Sequence, residues 1–325
     1  MRKIRKRRNK QRKIIVISLI AFLFIMVGGY AAFQTNLNIA AKGNIINTPD
    51  ECFEVSDNGD GTGTITNYDA SCGSEVKIPE RINNLTITKI SAATYTGTTF
   101  VGSFALKGLT KVILPDTLIE IGSYAFDHGQ FETITIPQNV VTISGHAFAS
   151  GSLTSINLNE GLETIGTGAF EYNNLTDLVI PKSVKNLNYT IASGNLINGD
   201  SAFIYARDEN GEIDDTTLIS FGDRKRKQVV IPSNVKIIIS SAFVSDDEVE
   251  QVIIPDSVTD IRAWAFWSMP KLSRVDIGFG IENISSSAFH VTPNLDVINI
   301  NRKENAISGE PWGADNATVN WTGTN

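Results

Sequence analysis

The sequence is short of the residues that most often carry chemistry. Its 325 positions hold only two cysteines and three histidines, and charged residues make up only 19% of the chain. It contains no Gly-x-Ser-x-Gly elbow, no His-Glu-x-x-His, no phosphate-binding glycine loop and no Cys-His pairing. His128, His146 and His290 are spread along the chain without metal-ligand spacing. Nothing in the sequence brings two carboxylates together. No catalytic residue, metal or cofactor is therefore expected, and the chain is not expected to be an enzyme. Cys52 and Cys72 lack the Cys-x-x-Cys spacing and a nearby histidine, which argues against a redox or metal pair.

What the sequence has instead is repetition. An Ala-Phe pair recurs at Ala125-Phe126, Ala147-Phe148 and Ala169-Phe170, 22 residues apart. It returns at Ala242-Phe243, Ala265-Phe266 and Ala288-Phe289, 23 apart. Four residues before each Ala stands an isoleucine, such as Ile121, Ile143 or Ile261. Seven before it stands another aliphatic residue, such as Leu118, Val140 or Val258. Upstream lies an alternating pair, such as Val112 and Leu114 or Val252 and Ile254, often closed by proline as at Pro115, Pro137, Pro181, Pro232 and Pro255. Self-similarity at this period means a solenoid, in which units too small to bury their own apolar side stack on their neighbours. The alternating pair has strand periodicity, and proline ends a strand because it donates no ladder hydrogen bond. The Ile-Gly-x-x-Ala-Phe segment reads as a corner, and the Phe as the filler between coils.

The unit L-x-x-V/I-x-I/L-P-x-x-V/L-x-x-I-G-x-x-A-F resembles the BspA-like leucine-rich repeats of bacterial surface proteins, over roughly residues 109–301. The expected fold is a β-rich solenoid: a right-handed coil of 22–23-residue repeats with short parallel strands, about eight or nine coils, capped by an N-terminal β-hairpin.

The N-terminus sets the compartment. Nine of the first thirteen residues are basic, and residues 14–33 then carry no charge. That order belongs to a signal peptide or an N-terminal membrane anchor. About 20 apolar residues can span a bilayer, whereas Gly29-Tyr30-Ala31 offers small residues for cleavage, so both fates stay open. In either case the basic end stays in the cytoplasm and the rest is exported to the surface or exterior. The formal net charge is -7; removing those nine leaves 19 basic against 35 acidic residues, or -16. An exported domain this acidic is not expected to bind nucleic acid. The predicted layout is 1–42 signal or anchor, 43–90 hairpin cap, 91–301 solenoid with an irregular insertion at about 186–228, and 302–325 C-terminal cap.

Within the N-terminal cap, Cys52-Phe53-Glu54-Val55 and Thr64-Ile65-Thr66 alternate around a turn, predicting a hairpin flanked by the two cysteines. Export favours a Cys52–Cys72 disulfide. Asp57-Asn58-Gly59-Asp60-Gly61 suits calcium or a hairpin turn, and the turn is preferred. In the middle, Ile191-Ala192 stands where Ala-Phe is due, and regular rhythm resumes only at Val229. Ser201-Ala202-Phe203 keeps an Ala-Phe, as if one unit were expanded by an extra hairpin. Asp208-Glu209-Asn210-Gly211-Glu212-Ile213 departs from a calcium loop, which needs glycine at its sixth position. Arg224-Lys225-Arg226-Lys227 reads as a solvated loop or a site for an acidic partner. Trp312 and Trp321 suit the closing of the last coil.

The family resemblance implies a binding or adhesion scaffold for a protein or glycan ligand. The alternative is a structural spacer or self-assembling surface component, with the membrane engaged through the N-terminal segment if that segment is not cleaved. The candidate ligand face is the outward row of the strands: Ile113, Thr135, Asn157, Val179, Val230, Ile253 and Asp276, with Arg274 beside them. Aliphatic residues recur along it where solubility alone would favour polar ones.

Overall fold

The alternating pairs fold as short parallel strands, one per coil. The structure is a computed structural model that describes residues 48–244 and 246–324. Glu75–Lys77 pairs with Lys111–Ile113, and Thr133–Thr135 with Ser155–Asn157. Beyond the middle, Gln228–Val230, Gln251–Ile254, Arg274–Ile277, Val297–Ile300 and Thr318–Trp321 form five consecutive rungs of one parallel sheet. The rungs turn alternate residues inward: Val112, Ile134, Val229, Val252, Val275 and Ile298 are buried, and Ile156 and Val319 are partly buried against the core. The result is a β-solenoid of about eleven turns with strands about 23 residues apart. The additional turns over the expected number come from both ends, where cap sequence continues the coil.

The corner segments do more than turn. Glu120–Ile121, Thr142–Ile143, Thr164–Ile165 and Asn186–Leu187 pair in parallel as a second ladder, which the single-strand reading of the repeat did not include. Ile237–Ile238, Asp260–Ile261 and Asn283–Ile284 continue the pattern after the middle. At the two corners where glycine follows the isoleucine, Gly122 and Gly166, close backbone approach explains it. A Cβ on Gly122 would lie 2.4 Å from the Ala92 nitrogen, and one on Gly166 equally close to the Gly145 nitrogen.

The Phe of each unit lies in one internal column. Phe104, Phe126, Phe148 and Phe170 follow one another at centroid distances of 5.0, 5.3 and 6.1 Å. Phe221, Phe243, Phe266 and Phe289 do so at 5.0, 4.9 and 5.2 Å. A backbone ladder runs alongside, the N–H of each Phe donating to the C=O of the next coil's Ala, as in Phe126 to Ala147 at 2.8 Å. That ladder shows how the chain crosses its irregular middle. Phe170 donates to Ile191, so Ile191-Ala192 holds the Ala-Phe place; Phe221 donates to Ala242, so Ser220-Phe221 holds the next one. Ala202-Phe203, the pair the sequence offered, lies instead at the base of a hairpin, Phe203–Arg207 against Ile213–Phe221. The regular coil persists to Ile197, whose N–H bonds Gly222, and Asn186–Leu187 is an ordinary rung. The expansion is therefore shorter than 186–228: it starts at Gly199 and closes at Phe221.

The caps are rungs as well. Phe53–Asp57 and Thr62–Tyr68 form the antiparallel hairpin, and Thr62–Tyr68 then pairs in parallel with Leu85–Ile90. Tyr68 heads the ring column, 5.4 Å from Phe104. A disulfide joins Cys52 and Cys72 across a sequence separation of 20. At the far end Trp312 is buried, and its C=O takes the N–H of Phe289. Trp321, in the last rung, packs 6.3 Å from it. The predicted signal or anchor segment lies outside the described residues. Among the described residues no helix is long and apolar enough to cross a membrane.

Candidate ligand-binding face

Parallel pairing places the outward residues of neighbouring coils side by side. Val230, Ile253, Asp276, Asn299 and Asn320 form one continuous row of direct cross-strand partners. Thr135 and Asn157 are partners in a separate block, and Ile113 pairs with Lys77 in a third. Val179 belongs to no strand and is 73% exposed. The predicted row is therefore three patches plus an isolated crest, because the main ladder lapses twice. One lapse lies between Lys111–Ile113 and Thr133–Thr135, the other on either side of residues 177–180.

In the long C-terminal patch the polar side chains bind one another. Gln228 donates to Gln251 at 2.9 Å, and Gln251 to Asp276 at 2.8 Å. Asn299 donates to the other Asp276 oxygen at 2.7 Å, and Asn320 to Asn299 at 3.0 Å. Arg274 grips both Asp276 oxygens, at 2.8 and 2.7 Å. The Arg274 hydrogen bonds come first, then those from Asn299 and Gln251, in holding the Asp276 carboxyl below its ordinary range. Arg274 is thus occupied within the face. Val230, 55% exposed, and the half-buried Ile253 are its adjoining apolar pair. This ladder could have been found in the sequence only by counting polar residues in register at 21 to 25 positions.

The second lapse is open on both flanks. A cavity of about 390 Å³ lies between residues 154–160 and 176–181, with Ser155, Asn157, Glu160 and Asp177 in its lining. Another, of about 310 Å³, separates residues 177–180 from the hairpin and is lined by Tyr205 and the exposed Ile213. Val179 stands between them and lines both.

Other candidates are absorbed by structure. Arg224 donates to the carbonyls of Asn173 and Gly194 and to the Asn174 side chain. Arg226 pairs with Asp223 at 3.0 Å and lies over the Phe203 and Phe221 rings. Lys227 pairs with Glu250 at 2.8 Å. The basic run is thus mostly a clamp at the base of the insertion, with Lys225 left exposed. Asp57 and Asp208 accept backbone N–H groups inside their own turns. His128 and His146 bind Asp127 and Glu171, and among the described residues no cluster of three His, Cys, Asp or Glu could hold a metal.

Two buried polar features were not legible beforehand. Asn173 and Asn195 are fully buried and bridge coils, each accepting from a leucine N–H (Leu153, Leu175) and donating to carbonyls of the ring column. Asp246 is equally buried, yet neither of its carboxylate oxygens has a hydrogen-bond partner.

The profile of the family described as "BspA type Leucine rich repeat region" matches in six copies, over residues 74–197 and 219–311. A leucine-rich repeat protein from Eubacterium ventriosum superposes with a TM-score of 0.57 at 21% identity, covering 82% of this chain and 76% of that one. The pneumococcal vaccine antigen PcpA gives 0.51 at 16% identity, with coverages of 84% and 86%. No curated protein matches.

Proposed function

We propose, from the premise that this chain belongs to the BspA-type leucine-rich repeat family of bacterial surface proteins, that it is an exported binding scaffold holding a protein or glycan ligand on the outward face of its main strand ladder. The observation that carries the reading is the interruption of that face. A ladder serving only as a spacer has no use for clefts of about 390 and 310 Å³ flanking an exposed valine, or for a Val230–Ile253 pair beside a self-satisfied polar ladder. Rigid stacking supplies what such a surface needs, because each side chain is held by the coils above and below and little ordering entropy remains to be lost on binding.

The basic and then apolar N-terminus supports export. N-terminal sequencing of the exterior protein should begin after Ala31 or Ala32 if the segment is cut; full-length chain in the membrane fraction would establish an anchor. Binding is tested by presenting the chain to an array of matrix proteins and purified glycans. Saturable capture of at least one class is expected. A chain that captures nothing on the array, while running as a folded protein, would return the reading to a spacer.

A further inference from the structure

At three rungs the residue after the strand ties its coil to the next. Ile78 N–H donates to Ile113 C=O at 3.0 Å, Ile136 to Asn157 at 2.9 Å and Ile231 to Ile253 at 2.9 Å. Leu158 stands at the same place and makes no such bond to residue 179. At the other end of the rung, Glu132 C=O receives the N–H groups of Thr154 and Ser155, whereas Thr154 C=O receives none from the coil after it. Ser155–Asn157 thus pairs on one side only. Its other side faces the cleft of about 390 Å³ rather than a neighbouring strand.

We infer that this cleft is a docking slot for an extended peptide carrying basic side chains, which pairs edge-on with Ser155–Asn157. Three observations select that occupant. An unpaired strand edge offers alternating donors and acceptors, and an extended backbone is the partner that satisfies both. The charged side chains lining the cleft are Glu160 and Asp177, both exposed and both acidic. Apolar contact comes from Val179 and Ile156, so the fitting sequence alternates basic and aliphatic residues. The slot deepens the scaffold reading above by naming the chemistry of one ligand, and it lies apart from the Val230–Ile253 patch.

The test uses the full chain and a fluorescein-labelled Lys-Val-Lys-Val-Lys-Val peptide, followed by fluorescence polarisation. Saturable binding is expected. It should weaken at least tenfold when alternate peptide amides are N-methylated, and disappear when Glu replaces Lys. Glu160→Lys, an exposed change, should weaken it about tenfold, and adding Asp177→Asn should weaken it further. Replacing the exposed turn residues Trp264 and Trp267 should leave it unchanged. Absence of saturable binding, or binding indifferent to N-methylation or to Glu160→Lys, overturns the slot. So does sedimentation showing a concentration-dependent dimer abolished by Glu160→Lys, which would seat a second copy there. If the peptide fails while array capture persists, the slot alone falls and the scaffold reading stands.

Discussion

Asp246 offers the sharpest test of how the coils are packed. Val249, Leu272 and Leu295 each donate an N–H three residues back, to Asp246, Met269 and Thr292, so these three are the same position in successive coils. Met269 fills its place with an apolar chain, and Thr292 donates its hydroxyl to Phe289 C=O at 2.6 Å. Asp246 does neither. Burial is the chief cause that pushes its carboxyl well above the ordinary range, and the negative charges of Asp247 and Asp223 add to it. A buried acceptor without a partner costs about 1–3 kcal/mol. Asp246→Thr should recover about that much at neutral pH by repeating the Thr292 bond to the Phe243 carbonyl.

The pH dependence gives the claim its second handle. In the unfolded chain the group titrates near about 3.9. With the folded value raised, stability is full below that pH and declines as pH rises toward the folded value, by up to about 1.4 kcal/mol per unit. Thermal melts of the native chain and of Asp246→Thr, taken at intervals from about pH 4 to about pH 7.5, should therefore diverge, the variant gaining with each step. Parallel curves, or a variant that melts lower throughout, would refute the account of this position.

The remaining expectations concern the column and its staples. Phe148→Ala removes a ring packed between Phe126 and Phe170 and should cost about 3–5 kcal/mol in chemical denaturation. An unchanged midpoint would take Phe148 out of the core. Asn173→Ala strands the Leu153 N–H and the Phe148 carbonyl and should cost about 2 kcal/mol, at about 1 kcal/mol for each group. A loss under about 0.5 kcal/mol would contradict the bridging role. Non-reducing mass spectrometry should find Cys52 linked to Cys72, and reduction should cost about 3 kcal/mol by the loop-closure estimate. Free thiols at both positions would remove the staple.

The coil was legible because stacking imposes the same burial on every turn. Six spaced apolar positions had to recur wherever neighbours pack, and they did. The second ladder was not legible, because Glu120–Ile121 and its equivalents are two-residue strands with one buried position, too short to show alternation. Ser220-Phe221 was hidden for a different reason. The insertion moved Phe221 to 29 positions after Ala192, so only the backbone bond to Ala242 identifies its role. The outward row could be counted from the sequence, but its division into blocks could not. Whether two rungs bond depends on how the intervening chain sets their separation, and no residue type at 155–157 or 177–180 announces the lapse.

The central claim, a ligand held on the strand face, is tested most directly by comparing two surfaces of one protein. Val230, Ile253 and Arg274 would be replaced together on the strand face. Trp264 and Trp267, exposed to 50% and 40% beside the Ala265-Phe266 turn, would be replaced in a second variant. Surface plasmon resonance against the array ligand captured most strongly by the native chain should show at least a tenfold loss for the strand-face variant and none for the turn variant, with melting temperatures nearly unchanged. Full binding by the strand-face variant, with loss in the turn variant, would contradict the account and move the site to the turns.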